Sequence, residues 1–313
     1  MTTYRAAVAS TERHVLAEGP VWVPVTQQVL WVDVARGHVF EGRLDAERIE
    51  QTARHDFEGT VGAVVRSDDG HLLVAGQERL LVLAPTGERI LGPRVVGAGR
   101  SSRTNDGACD PAGRFLVGTL SLAGEAGSET LLRVEDDATV TTLDGDLTLS
   151  NGLAWSPDGQ LLYSIDTMPG VVWVRGYDAQ TGRVGERRVL LRIADGLPDG
   201  MCVDSAGRLW IALWGAGEVR SFSPEGVHLD TVRVDAPHVS SVAFVGPDLD
   251  LLLVTTASRD LTAHERRLFP DAGRLFTARV GAAGAPCSSW SGSWLARARR
   301  AAGSGRWPVR PRP

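Results

Sequence analysis

The stretch Asn151-Gly-Leu-Ala-Trp-Ser-Pro-Asp-Gly-Gln-Leu-Leu-Tyr-Ser164 contains two short apolar segments joined by a tight turn. The turn is centred on Asp158-Gly159, and glycine accepts the positive φ angles that tight hairpin turns require. A dipeptide of this kind between two apolar runs is a strong signal for a β-hairpin. The stretch therefore predicts two antiparallel strands.

The same unit occurs six times along the chain. Its lead positions are Glu18, Gly62, Asn105, Asn151, Asp199 and Ser240, which gives a period of about 45 residues. Weaker strand candidates lie between the hairpins, for example Leu80–Leu83, Val171–Tyr177 and Val219–Ser223. Helical periodicity is scarce, so each repeat holds about four strands, the size of a propeller blade.

A single four-stranded sheet cannot cover both of its faces, so blades of this kind pack radially on one another. The sequence therefore predicts an all-β fold, a six-bladed β-propeller of four-stranded antiparallel blades. We expect the propeller to span residues 1–281, with Thr3–Ala9 as the outer strand of the last blade beside Arg274–Val280. Residues 282–313 are low in complexity and basic, and this composition predicts a disordered or loosely packed tail.

Composition excludes several classes of function. The chain has 313 residues and a net charge of −5, so no basic field indicates nucleic-acid binding. No apolar run approaches the ~20 residues of a membrane helix, and the first residues lack the apolar core of a signal peptide. Three widely separated cysteines favour a reducing compartment. We expect a cytoplasmic monomer or homodimer with neither nucleic acid nor membrane as a partner.

The repeat also predicts a functional site, because equivalent positions of six blades form a ring around one axis. The lead positions read Glu18, Gly62, Asn105, Asn151, Asp199 and Ser240. Five of the six are oxygen donors suited to a hard divalent cation, and two carboxylates at one axis would repel without one. Alternatively, these side chains cap strand ends or bind channel water. Ser240 is expected to be structural, and Gly62 to leave an opening on one side.

Other residues near the predicted channel mouth are weaker candidates. Arg103 precedes Asn105 by two positions, where its guanidinium could hold a ligand oxygen or pair with Asp106 on the surface. His238 could contact a ligand, although a plain loop histidine is the simpler interpretation. The chain has no serine-nucleophile elbow, phosphate-binding loop, dinucleotide motif or zinc spacing.

Several segments resemble the SMP-30/gluconolactonase/regucalcin family. They are Leu16-Ala-Glu-Gly-Pro-Val-Trp22, Arg103-Thr-Asn-Asp-Gly107, Ser150-Asn-Gly-Leu-Ala-Trp-Ser156, Asp195-Gly-Leu-Pro-Asp-Gly200 and Gly246-Pro-Asp-Leu-Asp250. The resemblance covers roughly residues 12 to 280 in family order. It implies a six-bladed propeller that hydrolyses a sugar lactone with the help of one divalent cation, Ca²⁺, Mg²⁺, Mn²⁺ or Zn²⁺.

The resemblance also implies roles for individual residues. Glu18, Asn151 and Asp199 match the metal ligands of the family, and Arg103 and Asn105 match its substrate contacts. In the mechanism that we expect, Asp199 is the catalytic base that takes a proton from the attacking water; a metal-bound hydroxide that Asp199 only orients is equally consistent. The alternatives are a non-catalytic calcium- or sugar-binding propeller of the regucalcin type, or hydrolysis of another ester, such as an organophosphate, in the same pocket.

Overall fold

The computed structural model describes residues 1–295 and contains 25 β-strands, one short α-helix and one turn of 3-10 helix within them. The chain begins with β1 (Thr3–Arg5) and β2 (Ala7–Val8). Blade one comprises β3 (Ala17–Val23), β4 (Gln28–Asp33), the 3-10 turn Val34–Arg36, β5 (His38–Asp45) and β6 (Arg48–Asp56). Blade two comprises β7 (Val61–Arg66), β8 (Leu72–Gly76), β9 (Arg79–Leu83) and β10 (Arg89–Arg94).

The remaining blades repeat this order. Blade three comprises β11 (Ser102–Cys109), β12 (Phe115–Ser121), β13 (Glu129–Val134) and β14 (Val140–Leu147). Blade four comprises β15 (Ser150–Trp155), β16 (Leu161–Asp166), β17 (Val171–Gly176) and β18 (Arg188–Arg192). Blade five comprises β19 (Leu197–Val203), β20 (Leu209–Trp214), β21 (Glu218–Phe222) and β22 (His228–Arg233). Blade six comprises β23 (Val239–Val245), β24 (Leu251–Thr256), helix α1 (Ala263–Leu268), β25 (Phe276–Ala278) and the N-terminal strand β2.

The predicted six-bladed propeller is therefore confirmed. Apart from the N-terminal strands β1 and β2, the strands of each blade pair antiparallel in chain order, and the first strands of neighbouring blades contact one another all the way around the ring. The buried apolar side chains form six clusters, one at each interface between blades. At the interface of blades five and six, for example, Trp210 meets Phe244 edge to face at 5.8 Å. Burial of each such side chain contributes about 1.5–3 kcal/mol.

Ring closure differs in part from the prediction for Thr3–Ala9. Ala7–Val8 pairs antiparallel with Phe276–Ala278 and completes blade six as expected. Thr3–Arg5 instead runs parallel to Thr231–Arg233 as a fifth strand of blade five. The chain start thus ties two neighbouring blades together, which the alternation of one short segment could not reveal.

Side-chain carboxylates fix the hairpin turns that generated the sequence repeat. Asp204 Oδ1 accepts hydrogen bonds from the backbone N–H groups of Ala206 and Arg208, at 3.0 and 2.9 Å. Its Oδ2 accepts from Arg208 Nε and Trp210 Nε1. Asp110 makes the equivalent backbone contacts in blade three. A buried carboxylate with this many donors holds the turn in one conformation.

Residues 283–295 cross the channel mouth formed by these turns. Ser205 N–H donates to Ala283 O in blade five, and Trp290 N–H donates to Arg66 O in blade two. Trp290 and Trp294 are 2% and 1% exposed and join the apolar cluster between blades two and three. This part of the segment assigned to the tail packs on the propeller. Residues 296–313, the rest of that segment, lie outside the described residues, so the domain boundary stays a prediction.

His14 gives the fold a pH dependence. The ring is 2% exposed, and Trp31 Nε1–H donates to its Nε2 at 3.2 Å. Burial lowers the pKa of His14 to about 4, and Asp33 opposes the shift only in part. Between pH 6.5 and 4 the unfolded chain therefore binds a proton that the folded protein does not. We expect this group to remove up to about 3 kcal/mol of stability as the pH falls through that window.

His14→Gln tests this expectation because the glutamine carbonyl can still accept from Trp31 and does not titrate. Urea unfolding of both proteins at several pH values measures the difference. The stability of the wild type should fall relative to that of the variant between pH 6.5 and 4. Parallel curves would show that His14 is not the group responsible.

Candidate functional site at the channel mouth

The six lead positions lie at one mouth of the channel, at the beginning of the first strand of each blade. Every one of these strands has a β-bulge there, where the register with the second strand shifts. The bulges include Gly62, Asn105, Asp199 and Ser240 and directly follow Glu18 and Asn151. A bulge interrupts the regular alternation of side chains and re-aims the residue it contains. The repeat therefore builds a ring of side chains set apart from those that pack between blades.

Glycines let neighbouring first strands approach each other beside the ring. A Cβ on Gly62 would lie 2.2 Å from the carbonyl oxygen of Asn105. A Cβ on Gly200 would lie 2.1 Å from Ser241 Oγ, and one on Gly152 would lie 2.7 Å from Asp199 O. These distances are far below ordinary contact, so only glycine fits. Gly62 is thus not an opening as expected, because the backbone of Asn105 fills the space beside it.

We expect Gly62→Ala to destabilise the protein by about 1–3 kcal/mol, because the new methyl group must displace the backbone of blade three. Gly176→Ala is the matched control, since a Cβ there would meet no atom within 4 Å. Urea unfolding of the two variants measures the difference. Equal stability of both would contradict the close approach of the two strands.

Amide and guanidinium groups link blades three and four at this mouth. Arg103 Nη1 donates to Asn105 Oδ1 at 3.0 Å and to Thr104 O at 2.8 Å. Asn105 Nδ2 donates to Asn151 Oδ1 at 2.8 Å, and Asn151 Nδ2 donates to Thr167 Oγ1 at 2.9 Å. Each amide is held in one orientation, so the oxygen of Asn151 has a defined position.

Two carboxylates from opposite parts of the sequence interact here. Burial raises the pKa of Glu18 well above its usual value, and the charges of Asp199 and Asp106 raise it further. Burial is also the main cause of the raised pKa of Asp199, followed by the charge of Asp106, while Arg103 and a hydrogen bond from Asn151 oppose the shift. The pKa of Asp106 itself rises to about 6 because of burial. The three acids thus form one electrostatic unit with Arg103.

The residues present fit a hard divalent cation. Glu18, Asp199 and Asn151 offer carboxylate and amide oxygens, the donors that Ca²⁺ and Mg²⁺ prefer. The charges of Asp199 and Asp106 raise the pKa of Glu18 although Arg103 opposes the shift, and a cation would supply further positive charge. Within residues 1–295 no three Asp, Glu, His or Cys side chains meet at metal-binding spacing. The set described here differs, because its third donor is the Asn151 amide.

The structure brings all five predicted site residues to the same mouth: Glu18, Arg103, Asn105, Asn151 and Asp199. The sixth ring residue behaves differently, since Ser240 Oγ donates to Ala17 O at 2.6 Å and is fully buried. This hydrogen bond joins blade six to blade one, in agreement with the structural role expected for Ser240.

Sequence reasoning did not assign Asp106 or Thr167 to the site. Asp106 follows Asn105 and was considered only as a partner of Arg103, yet its carboxylate interacts with Glu18 and Asp199 and accepts from Gly107 N–H. Thr167 orients Asn151 and in turn donates to Pro198 O at 2.8 Å. Asp106 lies in the motif Arg103-Thr-Asn-Asp-Gly107, so the sequence contained a signal for it. Thr167 follows β16, the second strand of blade four, and belongs to no recognisable motif.

One expectation concerns membranes. In the part of the chain that the structure describes, no helix is long and apolar enough to cross a bilayer. The one α-helix there, Ala263–Leu268, has six residues.

Comparison with known proteins identifies relatives that share nearly the whole chain. A pentonolactonase from Haloferax volcanii is 36% identical over 280 residues, which cover 87% of this chain and 93% of the relative. Regucalcin from Danio rerio is 31% identical over 298 residues, with 93% and 100% covered. The crystal structure of regucalcin from Agrobacterium tumefaciens, described as a calcium-binding protein, superposes with a TM-score of 0.87 at 27% identity, covering 93% and 99%.

The family model of the SMP-30/gluconolactonase/LRE-like region matches residues 16–258. This range includes Glu18, Arg103, Asn105, Asn151 and Asp199. The resemblance inferred from the motifs is therefore confirmed, and the chain belongs to the SMP-30/gluconolactonase family.

Proposed function

We propose that the protein hydrolyses a sugar lactone, an aldonolactone, to the corresponding aldonic acid. The observation that carries the proposal is the meeting of the Glu18 and Asp199 carboxylates with Asn151 at one channel mouth, although these residues lie far apart in sequence. A relative with 36% identity is named a pentonolactonase, and another with 34% identity is named a 6-deoxy-6-sulfogluconolactonase. Both names support a lactone as the substrate.

Glu18, Asn151 and Asp199 would hold one divalent cation, either Ca²⁺, Mg²⁺, Mn²⁺ or Zn²⁺. When bound, the cation supplies Lewis-acid polarisation of the lactone carbonyl and stabilises the negative charge that develops on its oxygen. Arg103 and Asn105 would position the ring oxygens of the sugar, because both have fixed donors at the same mouth.

Asp199 would act as the base. Water adds to the carbonyl carbon, and the carboxylate of Asp199 takes one of its protons. The bond between that carbon and the ring oxygen then breaks, and the departing alkoxide receives the proton from Asp199. The products are a carboxylate and a free hydroxyl group, with release of one proton from the new acid. Burial raises the pKa of Asp199, which favours the protonated form that this sequence requires.

A panel of aldonolactones with and without EDTA tests the proposal. We expect hydrolysis in the presence of added cation and loss of hydrolysis after chelation, followed by recovery with at least one of the four cations. Absence of hydrolysis of every lactone by the cation-loaded protein would refute it.

The second candidate is a non-catalytic calcium-binding propeller, and the structural similarity to a regucalcin described as calcium-binding favours it. In that case Ca²⁺ would raise the thermal stability of the protein, but no lactone would be hydrolysed. Calorimetric titration with Ca²⁺ beside the lactone panel separates the two candidates.

A further inference from the structure

A second arginine lies beside the proposed site and has no role in the chemistry described above. Arg259 follows β24, at the same channel mouth as Arg103. Its backbone N–H donates to Val15 O at 3.0 Å, and His238 Nδ1 donates to its carbonyl oxygen at 3.0 Å. These bonds hold the backbone of Arg259 between the start of blade six and Val15, which precedes Glu18 by three residues.

The side chain of Arg259 is available to a ligand. It is 48% exposed, and its one ion pair joins Nε to Asp260 at 3.3 Å. Asp260 is its immediate neighbour and is itself 70% exposed, so this pair contributes little. Among residues 1–295, the two terminal nitrogens of Arg259 donate no hydrogen bond to a protein atom.

Arg103 on blade three and Arg259 after β24 of blade six lie at the same mouth, and their like charges interact. Burial lowers the pKa of Arg103 to about 10, and the charge of Arg259 is the next largest cause. Arg103 uses Nη1 for Thr104 and Asn105, while its Nη2 and Nε have no partner among the described residues. The charges of Glu18 and Asp199 act on Arg103 in the opposite sense, whereas Arg259 pairs with the exposed Asp260. Forked donors of this kind bind carboxylate, sulfonate and phosphate groups.

We propose that an anionic group of the substrate binds between Arg103 and Arg259, so that the preferred lactone carries a carboxylate, sulfonate or phosphate on its carbon chain. The inference rests on the proposed lactonase function and specifies the substrate class. Arg259 acts as a specificity residue at the rim of the site and takes no part in bond breaking. It should therefore govern KM for anionic lactones and leave kcat on neutral ones nearly unchanged.

Matched substrates and the Arg259→Gln variant test the proposal. Glucono-1,5-lactone is the neutral substrate, while 6-phosphoglucono-1,5-lactone and glucaro-1,4-lactone carry a phosphate and a carboxylate. Loss of one charge-assisted contact should lower kcat/KM for the anionic lactones by roughly 10- to 100-fold, mainly through KM. For the neutral lactone we expect less than about a threefold change. Comparison of kcat/KM for the phosphate-bearing and the carboxylate-bearing lactone shows which anion the site prefers.

Arg48→Gln is the matched control, because it removes the same charge from an exposed position on the outer strand of blade one. It should leave the preference for anionic lactones unchanged. Equal effects of Arg259→Gln on neutral and anionic lactones, or a wild type that prefers the neutral lactone, would overturn the inference and leave the lactonase proposal standing.

A binding measurement separates the two proposals if no lactone is hydrolysed. Calorimetry with gluconate and 6-phosphogluconate compares the neutral-chain and anionic-chain acids without turnover. The wild type should bind 6-phosphogluconate at least about tenfold more tightly, and Arg259→Gln should abolish the difference. Equal affinities of the wild type for the two acids would sink the inference independently of catalysis.

Discussion

Asp199→Asn is expected to lower kcat on an aldonolactone by about 10²- to 10⁴-fold while cation binding is largely retained. Asparagine keeps an oxygen donor in the same place, so Glu18, Asn151 and the new amide still offer three oxygens to a cation. It cannot take a proton from water, because an amide is not a base at neutral pH. Steady-state kinetics give the change in kcat, and calorimetric titration with the cation gives the Kd.

Asp195→Asn is the matched control for this variant. Asp195 precedes Asp199 by four residues, is 70% exposed and pairs with Arg220 at 2.8 Å. The same chemical change there should leave kcat within about twofold of the wild type, since it touches only the rim of blade five. Full activity of Asp199→Asn would remove Asp199 from the chemistry. Loss of cation binding in parallel with turnover would assign Asp199 to the metal alone.

The architecture of the site was predictable because the repeat defines equivalent positions. Once Asn151-Gly152 and Asp199-Gly200 are aligned on their hairpins, a ring at one channel mouth follows from the symmetry of the fold. The same alignment explains why glycine follows Asn151 and Asp199: Gly152 and Gly200 lie in bulges where the next blade approaches closely, whereas Gly19 has open space beside it and a φ of 52°. The bulge itself was not visible, because an extra residue in a strand has no consistent hydrophobic pattern.

What could not be predicted depends on contacts between parts of the chain that share no period. Arg259 occurs once, outside the hairpin unit, and reaches the site because its loop bonds to Val15 and His238. Thr3–Arg5 joins blade five by parallel pairing with Thr231–Arg233, although its composition suits either neighbouring blade. Local patterns determine which segments form strands, whereas such single contacts depend on the assembled ring.

The order of residues 283–295 was also not predictable from their composition. The segment is rich in glycine and serine, which predicts disorder. Its two tryptophans, Trp290 and Trp294, are nevertheless buried. Trp290 and Trp294 have ring centroids 5.2 Å apart, and both pack against blades two and three. Averaged composition hides such anchors, because two large side chains bury more apolar area than many small ones.

Trp294→Ala is therefore expected to destabilise the protein by about 3–5 kcal/mol, the usual cost of truncating a buried tryptophan. The ring lies over Gly92, where a Cβ would come within 2.8 Å of Trp294 Cη2. Because the ring is packed so closely, its removal in Trp294→Ala leaves a cavity that the surrounding strands can fill only in part. The change in the free energy of unfolding is measured by urea denaturation of wild type and variant.

Trp294→Phe and Leu122→Ala are the controls. Within residues 1–295 the indole N–H of Trp294 has no hydrogen-bond partner, so phenylalanine removes an unsatisfied donor and should cost less than about 2 kcal/mol. Leu122 is 56% exposed, and its truncation should change stability by less than about 0.5 kcal/mol.

The position of Trp294 against an outer strand makes the prediction selective. Its ring packs over Gly92 on the outer strand of blade two, whereas Glu18, Asn151 and Asp199 lie on the first strands of blades one, four and five. At a temperature where Trp294→Ala remains folded, its kcat on a lactone should therefore equal that of the wild type. A variant as stable as the Leu122→Ala control would show that the segment does not brace the propeller. A folded variant with reduced kcat would show that the packing between blades two and three influences the site.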